Sequence, residues 1–513
     1  MGKQKLFIFI LLQLLSVVAY SQHGIDPHWF SAPIAVPKFN PNASATGAVA
    51  NNMVVTANGT VIIFYKENGI NYYIGSSDNG QSWNAPSPTL FTPATKTGNN
   101  NSSIGADIDL NGNIHTIWTS SAKNAVYYSR WIASSQIWSD TIRISGAVRY
   151  NVNYCHITRD MKNRLHAVWM DGQEMSTQYA EIMYSRSMDG GLNWSTPIRI
   201  STDDNRHSAF PMPDFSGSAS DTLCIAWRDS VSTANGWDIM MSYTFNGGQT
   251  WSVPGFVYSN SGNQYDPGIV VDKNGIFHIA FHDSPGNYLS VNVKYGYSTN
   301  HGLSWNITQF SQPNIRSRLV KSAYDYQNNV VWFFWKDERD YVPPFDYRAD
   351  IIGAPVTNGG ITIGNAEFIS DGGTVEYGFH NFKVGSDGIA RAHFNTFYTD
   401  NTPSTIYYTQ QTTMNTSIIR KTSEIPDKIT LYQNYPNPFN PTTKIDFSIP
   451  KQGFVSIKIY NMLGKEVATL VSREMTPGAY SLDFNASKLS SGVYFYKMEV
   501  NGFSEVKKMM FVK

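Results

Sequence analysis

A repeated pair of residues divides most of this 513-residue chain into seven units. In each unit a residue suited to a tight turn is followed six positions later by a large aromatic residue. The pairs are Gly59/Tyr65, Gly112/Trp118, Asn163/Trp169, Asp221/Trp227, Gly275/Phe281, Asn329/Trp335 and Gly388/Phe394. Because Gly, Asn and Asp are favoured in hairpin turns, each pair indicates the turn and the second strand of a hairpin.

Each unit is long enough for four strands, since the turn residue recurs every 51 to 59 residues. A third strand rich in Tyr or Met follows the aromatic residue, as at 71–76 and 181–186, and no helical stretch lies between the units. One four-stranded sheet cannot bury both of its faces, so repeated sheets stack around an axis. The sequence therefore predicts an all-β fold with a seven-bladed β-propeller over residues 22–411.

The last unit lacks an obvious fourth strand, and the N-terminal region offers one. Residues 30–36 (FSAPIAV) resemble the fourth strands at 194–200 (WSTPIRI) and 251–257 (WSVPGFV). We therefore predict that residues 28–36 pair beside residues 405–410, which would protect the sheet edge.

A second motif lies between the third and fourth strands of several units. Its polar, glycine and tryptophan positions are Ser76, Asp78, Gly80 and Trp83; Ser187, Asp189, Gly191 and Trp194; Thr244, Asn246, Gly248 and Trp251; and Ser298, Asn300, Gly302 and Trp305. This pattern resembles the Asp box, or BNR repeat, of the sialidase superfamily, over roughly residues 28–415. The resemblance implies a structural role for these residues on the face opposite the ligand. It also makes a six-bladed ring the alternative, because the family usually has six blades.

The two ends of the chain differ from the repeats. Residues 1–21 combine Lys3 and Lys5 with an apolar stretch and a small-residue cleavage pattern, which is typical of a secretory signal peptide. No later apolar stretch is long enough to span a membrane. Residues 412–430 are predicted to be a linker, and the period-two alternation of residues 431–513 predicts a small β-sandwich.

The sequence of the C-terminal module resembles the type A C-terminal sorting domain of the type IX secretion system. The most specific residues are Asn434, Tyr435, Pro436, Asn437, Pro438, Phe439, Asn440 and Pro441. The resemblance implies that the type IX machinery is a partner, and that the protein passes through the periplasm to be released or held at the cell surface.

The sialidase resemblance raises the question of catalysis. Catalytic sialidases carry an Arg-Ile-Pro motif on the first blade, whose arginine joins two others in binding the substrate carboxylate. The equivalent position here is near Val49, and the first arginine of the chain is Arg130. We therefore predict a non-catalytic protein that binds extracellular glycan or protein. A glycoside hydrolase with a non-classical active site is the alternative.

Candidate ligand-contacting residues are those that break the repeat in the loops expected to face the ligand. They are Arg206, His207, Tyr265, Asp266, Arg316, Arg318, Glu338, Arg339, Tyr341, Glu376 and His380. Acidic, basic and aromatic side chains together suit sugar recognition. In contrast, Asp171, Asp229, Asp283 and Asp337 recur two residues after the aromatic, which favours a turn-forming role over a catalytic one.

Composition excludes several other functions. The 39 Lys and Arg residues balance 39 Asp and Glu residues, so no overall charge attracts nucleic acid. His115, His166, Cys224 and His278 occupy one repeat position, which indicates packing within each unit and not a metal site. We expect no cofactor, and we expect Cys155 and Cys224 to be buried thiols, although a disulfide is chemically allowed outside the cell.

Overall fold

The chain, seen in a computed structural model, divides into two compact units. The first covers Ala32–Ile361 and Ile369–Gln410, and the second includes Thr362–Phe368 and Gln411–Lys513. The structure describes residues 30 and 33–513, except for residues 41–44, 47–51, 68–69, 89–103, 120–123, 149–150, 173–178, 215–220, 233–235, 287–290, 314, 327, 340–348, 361, 365, 371–376, 386–387, 397–404, 412–418, 423–425, 452, 476 and 487–488. The predicted signal peptide lies outside the described residues and stays a prediction.

The first 31 strands are β1 (Ile34–Ala35), β2 (Ala45–Thr46), β3 (Met53–Val55), β4 (Val61–Glu67), β5 (Ile70–Ser76), β6 (Ser87–Pro88), β7 (Gly105–Ile108), β8 (Ile114–Thr119), β9 (Val126–Ile132), β10 (Ile137–Trp138), β11 (Ile142–Arg143), β12 (Val152–Arg159), β13 (Leu165–Asp171), β14 (Glu181–Ser187), β15 (Ile198–Arg199), β16 (Ser208–Asp214), β17 (Leu223–Ser232), β18 (Gly236–Thr244), β19 (Gly255–Tyr258), β20 (Asn263–Val271), β21 (Phe277–Ser284), β22 (Asn292–Ser298), β23 (Asn306–Gln309), β24 (Ser317–Asp325), β25 (Val330–Asp337), β26 (Asp350–Thr357), β27 (Thr362–Ile363), β28 (Glu367–Phe368), β29 (Tyr377–Val384), β30 (Ala390–Thr396) and β31 (Ile406–Gln410). The 3-10 turn Asn358–Gly360 follows β26.

Seven antiparallel sheets follow one another in the described part of the first unit. Sheet 1 contains β2–β6, sheet 2 contains β7–β11, sheet 3 contains β12–β15, sheet 4 contains β16–β19, sheet 5 contains β20–β23, sheet 6 contains β24–β26, and sheet 7 contains β29–β31 and β1. The expected all-β class is confirmed, and each sheet holds its repeat's aromatic residue on its second long strand.

Burial explains why the second strands are nearly continuous apolar runs. All seven repeated aromatic side chains are at most 2% exposed. Every side chain of β13 and of β25 is buried, as expected for strands covered on both faces. The first strands also pack in series, β3 on β7, β7 on β12, β12 on β16, β16 on β20, β20 on β24, β24 on β29, and β29 on β3.

The N-terminal strand completes sheet 7. Ile34 pairs with Tyr408 and Ala35 pairs with Tyr407, while the Val36 amide donates to the Ile406 carbonyl at 2.8 Å. The predicted pairing of residues 28–36 beside residues 405–410 is confirmed for these positions. The pairing joins positions more than 370 residues apart, so it fastens the start of the unit to its end.

The turns after the third strands share one hydrogen-bonding pattern. In sheet 3 the Ser187 hydroxyl donates to Asp189 Oδ1 at 2.8 Å and accepts from the Gly191 amide at 2.9 Å. The same contacts recur in the turns that begin at Ser76, Thr244 and Ser298. The tryptophan of each turn packs against a buried cluster, namely Trp83, Trp194, Trp251 and Trp305.

Buried histidines support the neighbouring turns. His115 lies between Asp109 (3.3 Å) and the Tyr128 hydroxyl (2.7 Å), and His166 and His278 have the corresponding partners. The predicted packing role of these histidines is confirmed. Cys155 and Cys224 are buried free thiols, also as predicted.

Replacing Gly191 should destabilise the first unit more than replacing Gly275. Both residues have positive φ (87° and 79°), which costs a non-glycine residue about 1–2 kcal/mol. A Cβ at Gly191 would lie 1.8 Å from the Tyr128 hydroxyl, whereas one at Gly275 meets nothing within 4 Å. Overpacking adds about 1–3 kcal/mol. We expect Gly191→Ala to lower the denaturant midpoint well below that of Gly275→Ala, and equal losses would contradict the packing argument.

The second unit contains two further sheets in its described part. The strands are β32 (Ile419–Thr422), β33 (Thr430–Leu431), β34 (Thr442–Ile449), β35 (Gly453–Asn461), β36 (Glu466–Met475), β37 (Gly478–Asn485), β38 (Gly492–Val500) and β39 (Phe503–Phe511). They form the sheets β32-β37-β34-β33 and β36-β35-β38-β39, which contribute to one buried cluster. β32 pairs with β37, so the segment predicted as a linker, 412–430, contains a strand of this unit.

The proline-rich motif of the second unit is held by buried polar contacts. Asn434 is 2% exposed, and its side chain donates to Thr443 Oγ1 at 2.9 Å. Asn437 Oδ1 accepts from the Met510 amide at 2.9 Å, and the Phe439 amide donates to the Met510 carbonyl at 3.0 Å. The motif therefore covers part of the open edge of β39. Tyr435 differs from these residues because it is 81% exposed.

Candidate functional site

A β-bulge interrupts the first long strand of several sheets at the same place. Register shifts occur in β12, β16, β20, β24 and β29. The residues with positive φ at four of these bulges are Tyr154, Phe210, Asp266 and Leu319. Bulges re-aim side chains and are common beside functional sites. Here they interrupt the first long strands of sheets 3 to 7 near the same end.

In sheets 3 to 6 the residue just after the bulge pairs with the residue that precedes the repeated aromatic. At the position that pairs with this residue, the seven sheets carry, in order, Asn52, Gly105, His156, Met212, Gly268, Lys321 and Asn381. The packing residues of the repeat are similar in every sheet, but these seven are not. Symmetry is therefore broken at this position, as expected where a ligand and not the fold selects the side chain.

The symmetry-breaking residues of sheets 4, 5 and 6 form a compact group around Arg228. We define the Arg228 cluster as Phe210, Arg228, Trp237, Tyr265, Asp266, His282 and Lys321. The Arg228 guanidinium carbon lies 3.9 Å from the Phe210 ring centre, 4.7 Å from that of Tyr265 and 5.0 Å from that of Trp237. Three aromatic rings thus hold one cation, which is 8% exposed.

The polar members of the cluster lie beside this cage. Asp266 Oδ2 is 3.3 Å from His282 Nδ1. Burial alone would raise the pKa of Asp266, but the His282 contact and the charges of Arg228 and Lys321 lower it to about 2. Burial lowers the pKa of Lys321 to about 8, against the opposing effect of Asp266. At neutral pH the Arg228 cluster, as defined by these seven residues, therefore contains two positive charges, on Arg228 and Lys321, and one carboxylate, that of Asp266.

His156 extends the group toward sheet 3. It is 2% exposed, and burial together with the Lys321 charge lowers its pKa to about 3, so it is a neutral base. The Tyr154 ring lies 3.9 Å from that of Phe210, and the Lys321 amine lies 3.7 Å from Met212 Sδ. Residues from four consecutive sheets, 3 to 6, thus meet here.

A second basic group lies in sheet 6. We define the Glu338 cluster as Arg316, Arg318, Lys336 and Glu338. Arg316 Nη1 contacts Glu338 Oε2, Arg318 Nη2 lies 2.6 Å from Oε1, and Lys336 Nζ lies 3.4 Å from Oε1. Burial would raise the pKa of Glu338, but the three cations lower it, so the carboxylate is ionised.

The structure brings together some of the predicted ligand-contacting residues. Tyr265 and Asp266 belong to the Arg228 cluster, and Arg316, Arg318 and Glu338 belong to the Glu338 cluster. His207 packs beside Trp237, with 6.3 Å between ring centres, and Arg339 binds Asp337 at 2.8 Å.

The remaining predicted residues lie outside both clusters or have no described side chain. Arg206 lies near Asp229 and outside both clusters as defined. Tyr341 and Glu376 lie outside the described residues, and only the backbone of His380 is described. A ligand-contacting role stays a prediction for each residue of the set.

The recurrent aspartates have structural contacts. Asp229 Oδ2 accepts from the Ser208 hydroxyl at 2.6 Å, and Asp283 Oδ1 accepts from the Gln264 amide at 2.9 Å. Asp337 Oδ2 lies 3.4 Å from the Ser317 hydroxyl. Each of these carboxylates ties a second strand to the start of a first strand, which supports a structural role. The aspartates lie within strands, however, so the predicted turn-forming role is wrong.

Sequence reasoning missed Arg228, His282 and Lys321. A signal for the first two exists in the repeat. The residue between the repeated aromatic and the recurrent Asp position varies as Lys66, Thr119, Met170, Arg228, His282, Lys336 and Asn395, so the change in chemistry is visible once the units are aligned. Lys321 has no such signal. A bulge that the sequence does not predict lies between Arg318 and Lys321 and determines which residue Lys321 pairs with.

The second unit matches a known family. Residues 433–513 form a secretion system C-terminal sorting domain. The match confirms the resemblance drawn from residues 434–441, and it supports secretion or display at the cell surface. Among the described residues, no helix has the length and apolarity needed to cross a membrane.

The first unit resembles solved glycan-acting proteins. An ulvan lyase of a polysaccharide lyase family, bound to -[GlcA(1-4)Rha3S]-, has a TM-score of 0.52 at 13% identity, covering 73% of this chain and 95% of the lyase. Polysaccharide lyase Uly1 has a TM-score of 0.51 at 10% identity, with coverage of 74% and 94%. A Hadza microbial sialidase has a TM-score of 0.41 at 13% identity, with coverage of 70% and 74%. The two lyases establish a shared propeller-like fold. No curated protein sequence matches the chain.

Proposed function

We propose that the protein is exported by the type IX machinery through its sorting domain and binds an anionic glycan at the Arg228 cluster. The periplasm is the intermediate compartment in this proposal. The bound group is a carboxylate or a sulfate on an extracellular polysaccharide.

We also propose that sheets 1 to 7 are the blades of a seven-bladed, sialidase-like propeller. The support is the series of first-strand contacts that returns from β29 to β3, together with the N-terminal strand in sheet 7. In this proposal the turns at Ser76, Ser187, Thr244 and Ser298 are Asp boxes, and the sorting domain is a β-sandwich.

The observation that carries the binding proposal is the caged guanidinium of Arg228. A guanidinium stacked on aromatic rings keeps its N–H donors in one plane, which suits bidentate binding of carboxylate or sulfate. Lys321 adds a second positive charge to the same cluster, because its amine is protonated at neutral pH. The aromatic rings offer faces on which sugar rings stack. The ulvan lyase that shares this fold was solved bound to -[GlcA(1-4)Rha3S]-, which is consistent with such a ligand.

A binding panel tests the proposal. The purified protein is titrated with acidic polysaccharides, both uronate-containing and sulfated, and with neutral polysaccharides of similar length. We expect binding within the acidic group and no binding to the neutral group. Equal binding to both groups would exclude a site organised around charge.

Affinity for the acidic glycan should fall as the pH rises through about 8. A bound anion favours the protonated amine of Lys321, so above its pKa binding must take up a proton, and affinity falls by up to about tenfold per pH unit. Asp266 and His156, with pKa values of about 2 and 3, do not change charge in this range. Lys321→Arg stays charged there. We expect the variant to lose the pH dependence, and an unchanged fall would exclude Lys321 as its origin.

Exo-sialidase activity should be absent or very weak. The first-blade arginine of sialidases has no counterpart near Val49, and Arg316 and Arg318 are both engaged by Glu338. The measurement is turnover of a fluorogenic sialoside by the purified protein. Turnover at ordinary enzyme rates would contradict the prediction.

An enzyme acting on the same glycan is the second candidate, favoured by the Asp266–His282 pair. A carboxylate that holds one imidazole nitrogen orients the other as a general base. Arg228 would stabilise the charge that develops on a uronate carboxylate when the adjacent proton is removed. Elimination gives an unsaturated product with ultraviolet absorbance, whereas hydrolysis gives new reducing ends without it. Neither signal should appear if the protein only binds, and a signal lost in His282→Gln would support the enzyme.

A further inference from the structure

A row of aromatic side chains leads outward from the Arg228 cluster. We define the aromatic row as Tyr179, His207 and Trp237, of which Trp237 also belongs to that cluster. The Trp237 ring centre lies 5.0 Å from the guanidinium carbon of Arg228 and 6.3 Å from the His207 ring centre. The His207 ring centre in turn lies 5.3 Å from that of Tyr179. Aromatic rings in contact have centres about 4.5–7 Å apart, so the row is continuous with the caged guanidinium.

Exposure to solvent increases along the row. Arg228 is 8% exposed, Trp237 and His207 are half-buried, and Tyr179 is 37% exposed. Sugar rings stack on exposed aromatic faces, and a small number of polar groups fixes their orientation. The row therefore offers aromatic surface to the part of a glycan that extends from Arg228 toward solvent.

Backbone contacts hold His207 in place. Its amide donates to the Ser230 hydroxyl oxygen at 2.9 Å, and its carbonyl accepts from the Ser230 amide at 2.9 Å. The Ala180 amide donates to His207 Nδ1 at 3.2 Å. Because Nδ1 accepts a hydrogen bond, the neutral imidazole carries its proton on Nε2 and donates there. The row therefore combines ring faces with a hydrogen-bond donor suited to a sugar hydroxyl.

The repeat does not require the tryptophan of this row. Trp237 directly precedes the residue of the third strand that pairs with the recurrent Asp position. The same place in sheets 3, 5 and 6 holds Ala180, Val291 and Ala349. The Trp237 amide donates to Asn263 Oδ1 at 3.1 Å, which fixes the start of β18 against sheet 5. A smaller residue suffices for packing in the other sheets, so the tryptophan breaks the symmetry, as expected where a ligand selects the side chain.

We propose that the aromatic row forms a second sugar subsite, which binds the sugar next to the one whose anionic group lies at Arg228. This inference rests on the proposed function and deepens it. The second sugar is recognised by stacking and by its hydroxyls, so it requires no charge of its own. The ligand is therefore an acidic oligosaccharide of at least two residues, which extends from Arg228 toward the exposed ring of Tyr179.

The test is a titration of the purified protein with acidic sugars of increasing length. One series contains galacturonic acid and its dimer and trimer, and a parallel series contains sulfated galactose and its sulfated dimer and trimer. One aromatic stacking contact corresponds to about a two- to tenfold gain in affinity. We expect a gain of that size between the monosaccharide and the longer ligands, and the series that shows it identifies the anionic group.

Three variants locate the gain. Tyr179→Ala should bind the monosaccharide as the wild type does, which also shows that it folds, but it should lose the gain with length. Tyr179→Phe keeps the ring and should keep the gain. Arg228→Gln should lose binding of the monosaccharide and of the longer ligands.

Phe245→Ala is the matched control. Phe245 is 52% exposed and packs against the rings of Tyr243 (5.0 Å) and His301 (4.8 Å), but it follows the end of β18 opposite to Trp237. Its replacement should change neither affinity. A gain that persists in Tyr179→Ala, or no gain in the wild type, would overturn the second subsite alone. Failure of the wild type to bind either series would overturn the proposed function and the subsite with it.

Discussion

Removing residues 431–513 should abolish delivery of the protein beyond the outer membrane while leaving the first unit folded. The sorting domain has its own buried core, which includes Phe447, Ile457 and Tyr496. The first unit is completed by the pairing of β1 with β31 and so requires no strand from the tail. The truncated protein should therefore accumulate in the periplasm in protease-resistant form.

Cell fractionation of the producing bacterium measures this effect. Point variants test whether the fold of the sorting domain is what export requires. Asn434→Ala removes a buried side chain that donates to Thr443 and to the Pro436 carbonyl, so we expect a loss of export similar to that of the deletion. Tyr435→Ala, at an exposed position of the same motif, should leave the sorting domain folded. Efficient surface delivery of the truncated protein would contradict the sorting assignment.

Replacing Arg228 by lysine should weaken binding of the acidic glycan by tens to thousands of fold. Lysine keeps the charge but loses both the planar fork and the stacking on Phe210, Trp237 and Tyr265. Losing a buried charged contact costs about 2–5 kcal/mol of binding free energy. Calorimetric titration of the variant, beside Arg199→Gln as a surface control, measures the loss.

The lysine variant must be shown to fold. Near-ultraviolet circular dichroism reports the aromatic packing of the propeller, and it should match that of the wild type. A folded Arg228→Lys protein that binds with wild-type affinity would show that the caged arginine does not contact the ligand.

The fold could be predicted from the sequence because the same packing problem recurs in every unit. Gly112 and Trp118, for example, occupy positions that each unit needs for a turn and for the space between sheets. The pairing of β1 with residues 407–408 was also predictable, since residues 30–36 repeat the pattern of known fourth strands. In the tail, the period-two alternation and the proline-rich motif were specific enough to identify the sorting domain.

The candidate site was harder to predict because its residues are far apart in sequence and meet only in the folded protein. The bulge residues Tyr154, Phe210, Asp266 and Leu319 share no residue type, so no local pattern marks them. Lys321 contacts Met212 across 109 positions of sequence. Tyr265 and Asp266 were predicted because they interrupt the repeat, whereas Arg228 follows the repeated tryptophan within a strand and was not singled out.

The most direct test of the account is a titration of the purified protein with an acidic oligosaccharide and with the same oligosaccharide after its carboxyl groups have been reduced to alcohols. The two ligands share size, linkage and ring stacking and differ only in charge. We expect the acidic form to bind and the reduced form to lose most or all of the affinity, and we expect Arg228→Gln to remove the difference. Equal binding of the two forms by the wild type would contradict this expectation.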